Sequence, residues 1–410
     1  MNKQLVIAWT IVLSLVTWGC EAPMTSEEIA DRYGEDGAKA EPSDDVDAIQ
    51  SAVLGTFVAL PALPVVTTAY GFALAASADD GSARLGFMFT DATYRASLLA
   101  AGKIQNMGGS YDGPNAYATY KVQSSAWSPY EGRTTPQTYS FSELVHASGA
   151  SYYSTDYASF GGLISAIRNG GKGVYAQTPA FTTRKAHSIS IPVGSADMYS
   201  LIAQAGTAGL TFSRIAISQF GVVFPSAWVD MAQVSTAAST VSEPQLLPAG
   251  GTRLAASYIL GANAVIRATT NPATITSATN IPAIGSCTGA VHVDIAWDGT
   301  NLYAACATSA GVLTVQKTSL ASLPSTLWSA VPTSIIGAVT ALDLEGSSTG
   351  VSIAVRIGTS VKVYKNVTDP SANFDEVRPG QFDLARTTNG IVIAICDLTG
   401  DRTLRTWVSP

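Results

Sequence analysis

The strongest constraint on this fold is a strand–turn–strand unit that returns about every fifty residues. Toward the C-terminus it reads Leu302–Cys306 with Gly311–Lys317, Val351–Val355 with Ser360–Lys365, and Ile391–Ile395 with Thr403–Trp407. Upstream it recurs as Leu254–Tyr258 with Ala264–Arg267, Tyr199–Ala203 with Leu210–Arg214, and Tyr152–Tyr157 with Leu163–Arg168; a weaker instance begins at Arg84. Each half is a short run of β-branched, aromatic and small residues, and each pair is joined by a turn segment. The second half ends in a base at Arg168, Arg214, Arg267, Lys317 and Lys365, spaced 46, 53, 50 and 48 residues apart. A period of about 40 to 55 residues holding four short strands is the size of a propeller blade.

These repeats predict an all-β fold, a β-propeller of about seven four-stranded blades over residues 49–410. The last unit has room for only three strands after Gln381, so a strand from residues 50–62 is expected to complete it and close the ring. Closure removes the open sheet edges that a linear array presents. The alternative is two β-sandwich domains divided near residue 240, with Thr236–Pro244 as linker. The segment Ile295–Tyr303, a hairpin around Asp298 and Gly299, resembles the blades of secreted bacterial propellers related to sialidases. The Asp-box of those proteins, Ser-x-Asp-x-Gly-x-Thr-Trp, is absent from the chain, so the resemblance implies a fold and no catalytic residue.

The N-terminus carries an address. Lys3 precedes an apolar run, Leu5–Trp18, of fourteen residues, short of the about 20 needed to span a bilayer. A basic start, a short apolar core and a small residue before the cut have the form of an export signal, residues 1–19. Gly19-Cys20 resembles the end of the lipobox of bacterial lipoproteins, although Thr17 and Trp18 depart from it. The resemblance implies lipid attachment at Cys20. Residues 20–48 hold ten acids against Arg32 and Lys39, which reads as a disordered acidic tether. Residues 49–410 balance at twenty acids and twenty bases, so the chain's net charge of −7 is the tether's −8 offset by Lys3. A neutral domain without a basic cluster offers no footprint for nucleic acid. The expected setting is the cell envelope, lipid-anchored on the periplasmic side or the cell surface, with simple secretion as the alternative.

Catalytic motifs are sparse. Gly346-Ser347-Ser348-Thr349-Gly350 matches a nucleophile elbow, but the triad histidine should follow the serine, and His146, His187 and His292 all precede it. His292 and Asp294 alternate on one strand and could begin a metal site; with so few histidines they are read as structural. Asp79-Asp80-Gly81 and Asp397–Asp401 could offer calcium ligands but read first as turns. No cofactor is expected. Among the remaining cysteines, Cys287 and Cys306 are expected to pair within one blade, leaving Cys396 as a small buried hydrophobe.

Eleven of the chain's 35 aromatics fall between Tyr111 and Phe160. Part of this stretch, 105–138, reads as a Tyr-rich insertion, with Tyr111, Tyr117, Tyr120, Trp127 and Tyr130 as a candidate platform for glycan or protein. The favoured function is a non-enzymatic binding scaffold of the cell envelope, meeting an envelope protein or polysaccharide. The alternative is a glycan-active hydrolase or lyase of the propeller class, using Asp294 with Asp343 or Glu143 with Asp156 as its carboxyl pair.

Overall fold

The computed structural model describes the chain from Phe57 to Ser409, apart from short connecting stretches, the longest being 64–71, 107–113, 169–174, 178–183 and 220–225. The signal, Cys20 and the tether, together with Tyr111, lie outside the described residues.

Among the described residues twenty-nine strands form seven sheets, six of four strands and one of five. The first strand, β1 (Val58–Ala59), is set apart from its sequence neighbours. Blade 1 is β2 (Phe72–Ala76), β3 (Ala83–Phe89), β4 (Asn115–Val122) and β5 (Trp127–Thr135), with a helix α1 (Ala92–Ala100) between β3 and β4. Blade 2 is β6 (Ser140–Ala147), β7 (Ala150–Tyr157), β8 (Leu163–Arg168) and β9 (Tyr175–Gln177). Blade 3 starts with β10 (Arg184–Ser190), β11 (Asp197–Gln204) and β12 (Leu210–Ala216). The chain then adds β13 (Ser226–Ala227) in parallel to β9, giving blade 2 its fifth strand, before β14 (Val229–Ser235) completes blade 3.

The remaining blades are regular. Blade 4 is β15 (Val241–Pro248), β16 (Leu254–Leu260), β17 (Asn263–Thr269) and β18 (Ala283–Thr288). Blade 5 is β19 (Ala290–Trp297), β20 (Asn301–Thr308), β21 (Leu313–Ser319) and β22 (Ser329–Ala330). Blade 6 is β23 (Val339–Ser347), β24 (Gly350–Ile357), β25 (Ser360–Tyr364) and β26 (Phe374–Val377). Blade 7 is β27 (Gly380–Thr387), β28 (Gly390–Asp397) and β29 (Leu404–Ser409), with β1 antiparallel on β29. The inner strands touch in the order β2, β6, β10, β15, β19, β23, β27 and back to β2.

This ring replaces the two-sandwich alternative. A core cluster made from β11, β12, β15 and β16 runs across residue 240, where that alternative placed its boundary. The expectation of uniform four-stranded blades is corrected at blade 2, whose fifth strand is borrowed from the connection leading to β14. The Tyr-rich insertion is also corrected. Seventeen of the thirty-four residues 105–138 are β4 and β5, blade 1's own third and fourth strands, and the extra length of this unit lies in the β3–β4 connection, which holds α1. That helix starts where the Asp91 carboxylate accepts the Tyr94 N–H at 2.5 Å, a side-chain cap.

The repeat units recognised in the sequence are the second and third strands of each blade. Second strands lie between neighbouring blades and are buried on both faces: Val351–Val355 and Ile391–Cys396 are buried without interruption. Three of the five periodic bases stand opposite a Tyr in the strand register. Tyr152 faces Arg168, Tyr199 faces Arg214 and Tyr303 faces Lys317 across the second and third strands. Lys317 lies 5.7 Å from the Tyr303 ring centroid, a cation–π distance.

Closure is locked by aromatic packing. Phe57, beside β1, packs its ring 5.3 Å from Phe374 of blade 6, and Phe374 in turn lies 5.1 Å from Trp407. All three are buried. Phe57→Ala is expected to cost about 3 to 5 kcal/mol through lost burial and the cavity left behind, lowering the urea midpoint of unfolding accordingly.

Candidate functional site

The innermost strand of a blade is paired on one edge only. Its other edge presents N–H groups toward the next blade, and buried amides left without acceptors are costly. Six of the seven inter-blade junctions solve this with a side chain. The Glu143 carboxylate accepts the Ile189 N–H at 2.5 Å, the Ser188 hydroxyl the Leu246 N–H at 2.8 Å, and Glu243 the Val293 N–H at 3.1 Å. Asp294 accepts from Leu344 at 2.7 Å, Asp343 from Leu384 at 2.6 Å, and Asp383 from Leu74 at 2.7 Å. The result is a belt of hydrogen bonds running round the channel, each from one blade's side chain to the next blade's backbone. Ala73 holds the corresponding place in blade 1 and has no acceptor to offer. That junction carries a parallel bridge between Ser77 and His146 instead.

The local sequence behind the belt is a polar residue followed by Leu or Ile: Glu143-Leu144, Ser188-Ile189, Asp294-Ile295, Asp343-Leu344 and Asp383-Leu384. Alternation along a strand turns the polar side chain away from the buried Leu or Ile beside it. Blade 4 departs from this pattern. Gln245 occupies the usual place, a bulge interrupts β15 between Ser242 and Gln245, and Glu243 takes a left-handed φ of 48°. The displaced Glu243 carboxylate also meets His292 Nδ1 at 2.7 Å, and this contact, with burial opposing it, raises the His292 pKa.

Four of the five belt acids, Glu143, Asp294, Asp343 and Asp383, line a central cavity of about 470 Å³. Asp294, Asp343 and Asp383 stand on successive inner strands with their carboxyls in hydrogen-bond contact, Asp343 in the middle. Burial, and then the charge of Asp343, raise the pKa of Asp294 and Asp383 well above the usual carboxylate range. Asp343 is also raised by burial, but the carboxyls on either side and the Leu384 and Leu344 N–H groups pull it back, so it is the acceptor in the row. Glu345, two residues further along β23, is raised by burial and by the charges of Asp343, Asp294 and Glu143. Burial pushes Glu143 up to about 8, against hydrogen bonds from Ile189 and Ser188.

The other sequence candidates fall into structural settings. Gly346–Gly350 is the β23–β24 turn, where a Cβ on Gly346 would lie 2.4 Å from the Trp297 carbonyl oxygen. Arg386 of blade 7 reaches into this turn, donating to Ser347 Oγ at 3.3 Å and to the Thr349 carbonyl at 2.9 Å. His146 bonds Ser151 Oγ at 2.8 Å and lies 3.4 Å from Asp79, the connectivity of a catalytic relay. Ser151 is 0% exposed, so no substrate reaches its hydroxyl.

Asp80 accepts from Ser82, Arg84 and Lys121, the last at 2.6 Å, which makes it the anchor of a turn. Residues 398–402 of the second calcium candidate lie outside the described residues. Among the described residues no group of three or more His, Cys, Asp or Glu is arranged to hold a metal ion. His292 and Asp294 are both engaged in the belt region. The backbone places Asp156 on β7 opposite Ser140, one strand outward from Glu143.

The aromatic platform does not assemble as expected. Tyr117 and Tyr120 are buried, Tyr120 stacking 5.2 Å from Phe87 with its hydroxyl on that of Tyr94. Trp127 and Tyr130 belong to β5, the outer strand of blade 1, and nothing further is described of their side chains. Cys287 and Cys306 form a disulfide, joining β18 of blade 4 to β20 of blade 5; the placement within one blade is thereby corrected. Cys396 is buried and outside any disulfide.

The sequence matches no protein-family profile and no curated protein sequence. The structure is similar to a chain of Kuenenia stuttgartiensis hydrazine synthase, at 10% identity over 84% of this chain and 96% of that one, with a TM-score of 0.50. Looser likenesses are a triple-arginine mutant of AofleA from Arthrobotrys oligospora (7% identity, 79% and 91% covered, TM-score 0.47) and the Hadza microbial sialidase Hz136 (8%, 82% and 65%, 0.43). The first speaks to the propeller fold alone, and the other two are too loose to bear on it.

Two outcomes follow from the belt. Asp383→Ala leaves the Leu74 N–H without an acceptor and is expected to cost about 1 to 3 kcal/mol in urea unfolding, whereas Asp383→Asn keeps an acceptor and most of that stability. The second concerns pH. Glu143, Asp294, Glu345, Asp383 and His292 all have folded pKa values above their unfolded ones, so the folded state binds more protons. Stability should therefore fall as pH rises from about 4.3 through about 8, by roughly 1.4 kcal/mol per pH unit for each extra proton held. His146, lowered to about 4 by burial, opposes this only below its unfolded value near 6.5. Urea midpoints across this range should fall in the native chain and fall less steeply in an Asp294→Asn, Glu345→Gln double variant.

Proposed function

We propose that this chain is an exported lipoprotein of the cell envelope, anchored through Cys20, whose propeller serves as a non-enzymatic binding scaffold. The observation that carries the scaffold reading is the belt. Its acids are already committed to the amides of the next blade, which is a structural duty and not that of a free general acid or base. Asp294 and Asp343, one of the two pairs of the glycan-active alternative, are in direct hydrogen-bond contact. Glycosidase carboxyls stand about 5 Å or more apart so that a sugar fits between them. The disulfide Cys287–Cys306 supports export, because such bonds persist in oxidising compartments. The neutral domain at the end of a strongly acidic tether supports a ring held away from the membrane, free to meet a protein or polysaccharide.

Expression in a bacterial host with a labelled fatty acid tests the anchor. Label on the native chain, its loss in Cys20→Ala, and movement of that variant from the membrane fraction to the soluble one are expected. An unlabelled native chain overturns the lipoprotein reading, and turnover of any polysaccharide in a hydrolase and lyase panel overturns the scaffold reading.

A further inference from the structure

His292 stands where three blades meet. It belongs to β19 of blade 5, its Nδ1 lies 2.7 Å from the Glu243 carboxylate of blade 4, and the Thr340 backbone of blade 6 accepts a second hydrogen bond from the same ring. All three residues sit at irregularities near the start of their inner strands. The ladders shift register between Ser242 and Gln245, between Ala290 and His292, and between Val339 and Ala341. Regular pairing is interrupted at each place, and the imidazole links the interruptions.

Two acceptors on one ring make this link sensitive to charge. Imidazolium carries an N–H on each nitrogen, whereas the neutral ring has a single N–H. Only the charged form serves both the carboxylate and the backbone carbonyl. Both contacts therefore favour the cation and raise the His292 pKa, with burial opposing them. In the neutral ring the Glu243 carboxylate keeps the remaining proton, because an ionised acceptor takes the stronger hydrogen bond. What deprotonation removes is the tie to Thr340.

The surroundings confine that loss to the blade 6 side. The Cys287–Cys306 disulfide joins blade 4 to blade 5, and Cys306 pairs in register with Val293, the residue after His292. The other Glu243 oxygen holds the Val293 N–H at 3.1 Å. Blades 4 and 5 thus keep a covalent bond and a belt bond whatever the charge on the ring. Toward blade 6, residues 331–338 lead into β23 without helix or strand, and Ile336 is exposed. This connection moves without breaking regular structure.

We propose that His292 is a pH-operated clasp: as imidazolium it fastens the entry of β23 to blades 4 and 5, and as neutral imidazole it releases Thr340 and frees the stretch from Ile336 to Ala341. The ionisable groups on the strands packed against β19 are Glu243 on β15, Tyr258 on β16, Arg267 on β17, Tyr303 on β20, and Asp343 and Glu345 on β23, with Asp294 on β19 itself. Residues 309–312 and 331–338 carry no charge. Of these groups Glu243 both bonds the ring and acts on it by charge. With the folded pKa raised, the clasp is closed below the ordinary histidine value of 6.5 and opens as pH rises through the folded one. The clasp is independent of the anchor and of whatever the ring binds, so its failure leaves the scaffold reading untouched.

Two measurements on the full chain test it. The first is an NMR titration of ¹⁵N-labelled histidine rings, with the His292 signal identified by its absence in His292→Gln. A midpoint above 6.5 that moves down in Glu243→Gln is expected. The second is hydrogen exchange at about pH 5.5 and about pH 8.5, read as protection factors so that the intrinsic pH dependence is divided out. The peptide carrying Val339, whose N–H bonds the Gly311 carbonyl at 3.0 Å, reports on the entry of β23. Its protection is expected to fall several-fold more than that of the regular strands of blades 4 and 5. In His292→Gln, whose side chain does not titrate, that excess should vanish, which separates the clasp from ionisation of the belt acids. In Glu243→Gln, which keeps an acceptor for Val293, opening should move to lower pH; this arm stands even where His292→Gln does not fold. A His292 midpoint at or below 6.5 overturns the inference, as does an excess loss of protection that is absent from the native chain or unchanged in both variants.

Discussion

A ring of blades has one polar problem that its sheets cannot solve by themselves: the inner edge of each innermost strand has no strand to pair with. The chain answers with side chains, placing on the inner strand of six of the seven blades a carboxylate or hydroxyl that takes the next blade's N–H. Much else follows from that choice. Acceptors on the inner strands become channel-lining groups, and acids chosen as acceptors bring like charges together in a narrow, water-poor space. Blades 2 to 7 are tied in sequence and blade 7 to blade 1 through Asp383 and Leu74, while a backbone bridge joins blades 1 and 2, so these inner links and the outer closure by β1 complete the ring at two different radii.

The proximity of the acids converts a structural device into an electrostatic one. Isolated carboxylates with such hydrogen bonds would stay ionised well below neutrality, because donors favour the charged form. Here burial and mutual repulsion win at Asp294 and Asp383, and Asp343, flanked by both, accepts from them. Protons thus take the place of counter-ions along the wall. The same belt explains why a pair of aspartates in a central channel need not signal catalysis: they are too close together and already occupied.

Legibility in the sequence tracked burial. Second and third strands are sandwiched between blades, must be apolar or small on both faces, and so announce themselves as recurring runs, down to the Tyr and base that face each other across them. Inner strands mix polar channel positions with buried ones, and β23 and β27 therefore read as unremarkable segments although they carry the candidate site. The recurring polar-then-Leu or Ile dipeptide was present as a signal, but only its placement eight to eleven residues before each repeat distinguishes it. Tyr117 and Tyr120 misled for the opposite reason. A dense aromatic stretch looks the same in composition whether its rings form a surface or, as these two do, fill a core beside Phe87.

The amino-acid sequence by itself determined the repeat and its blade-sized period. Those properties rest on local propensity and on periodic burial, which every unit must satisfy within its own fifty residues. Only the tertiary structure decided which acids meet, that Asp383 serves an amide 309 residues away, and that the disulfide bridges two blades. These are consequences of closing the ring. Circular closure brings distant residues to a common centre, and no local pattern in the chain encodes which of them will face each other there.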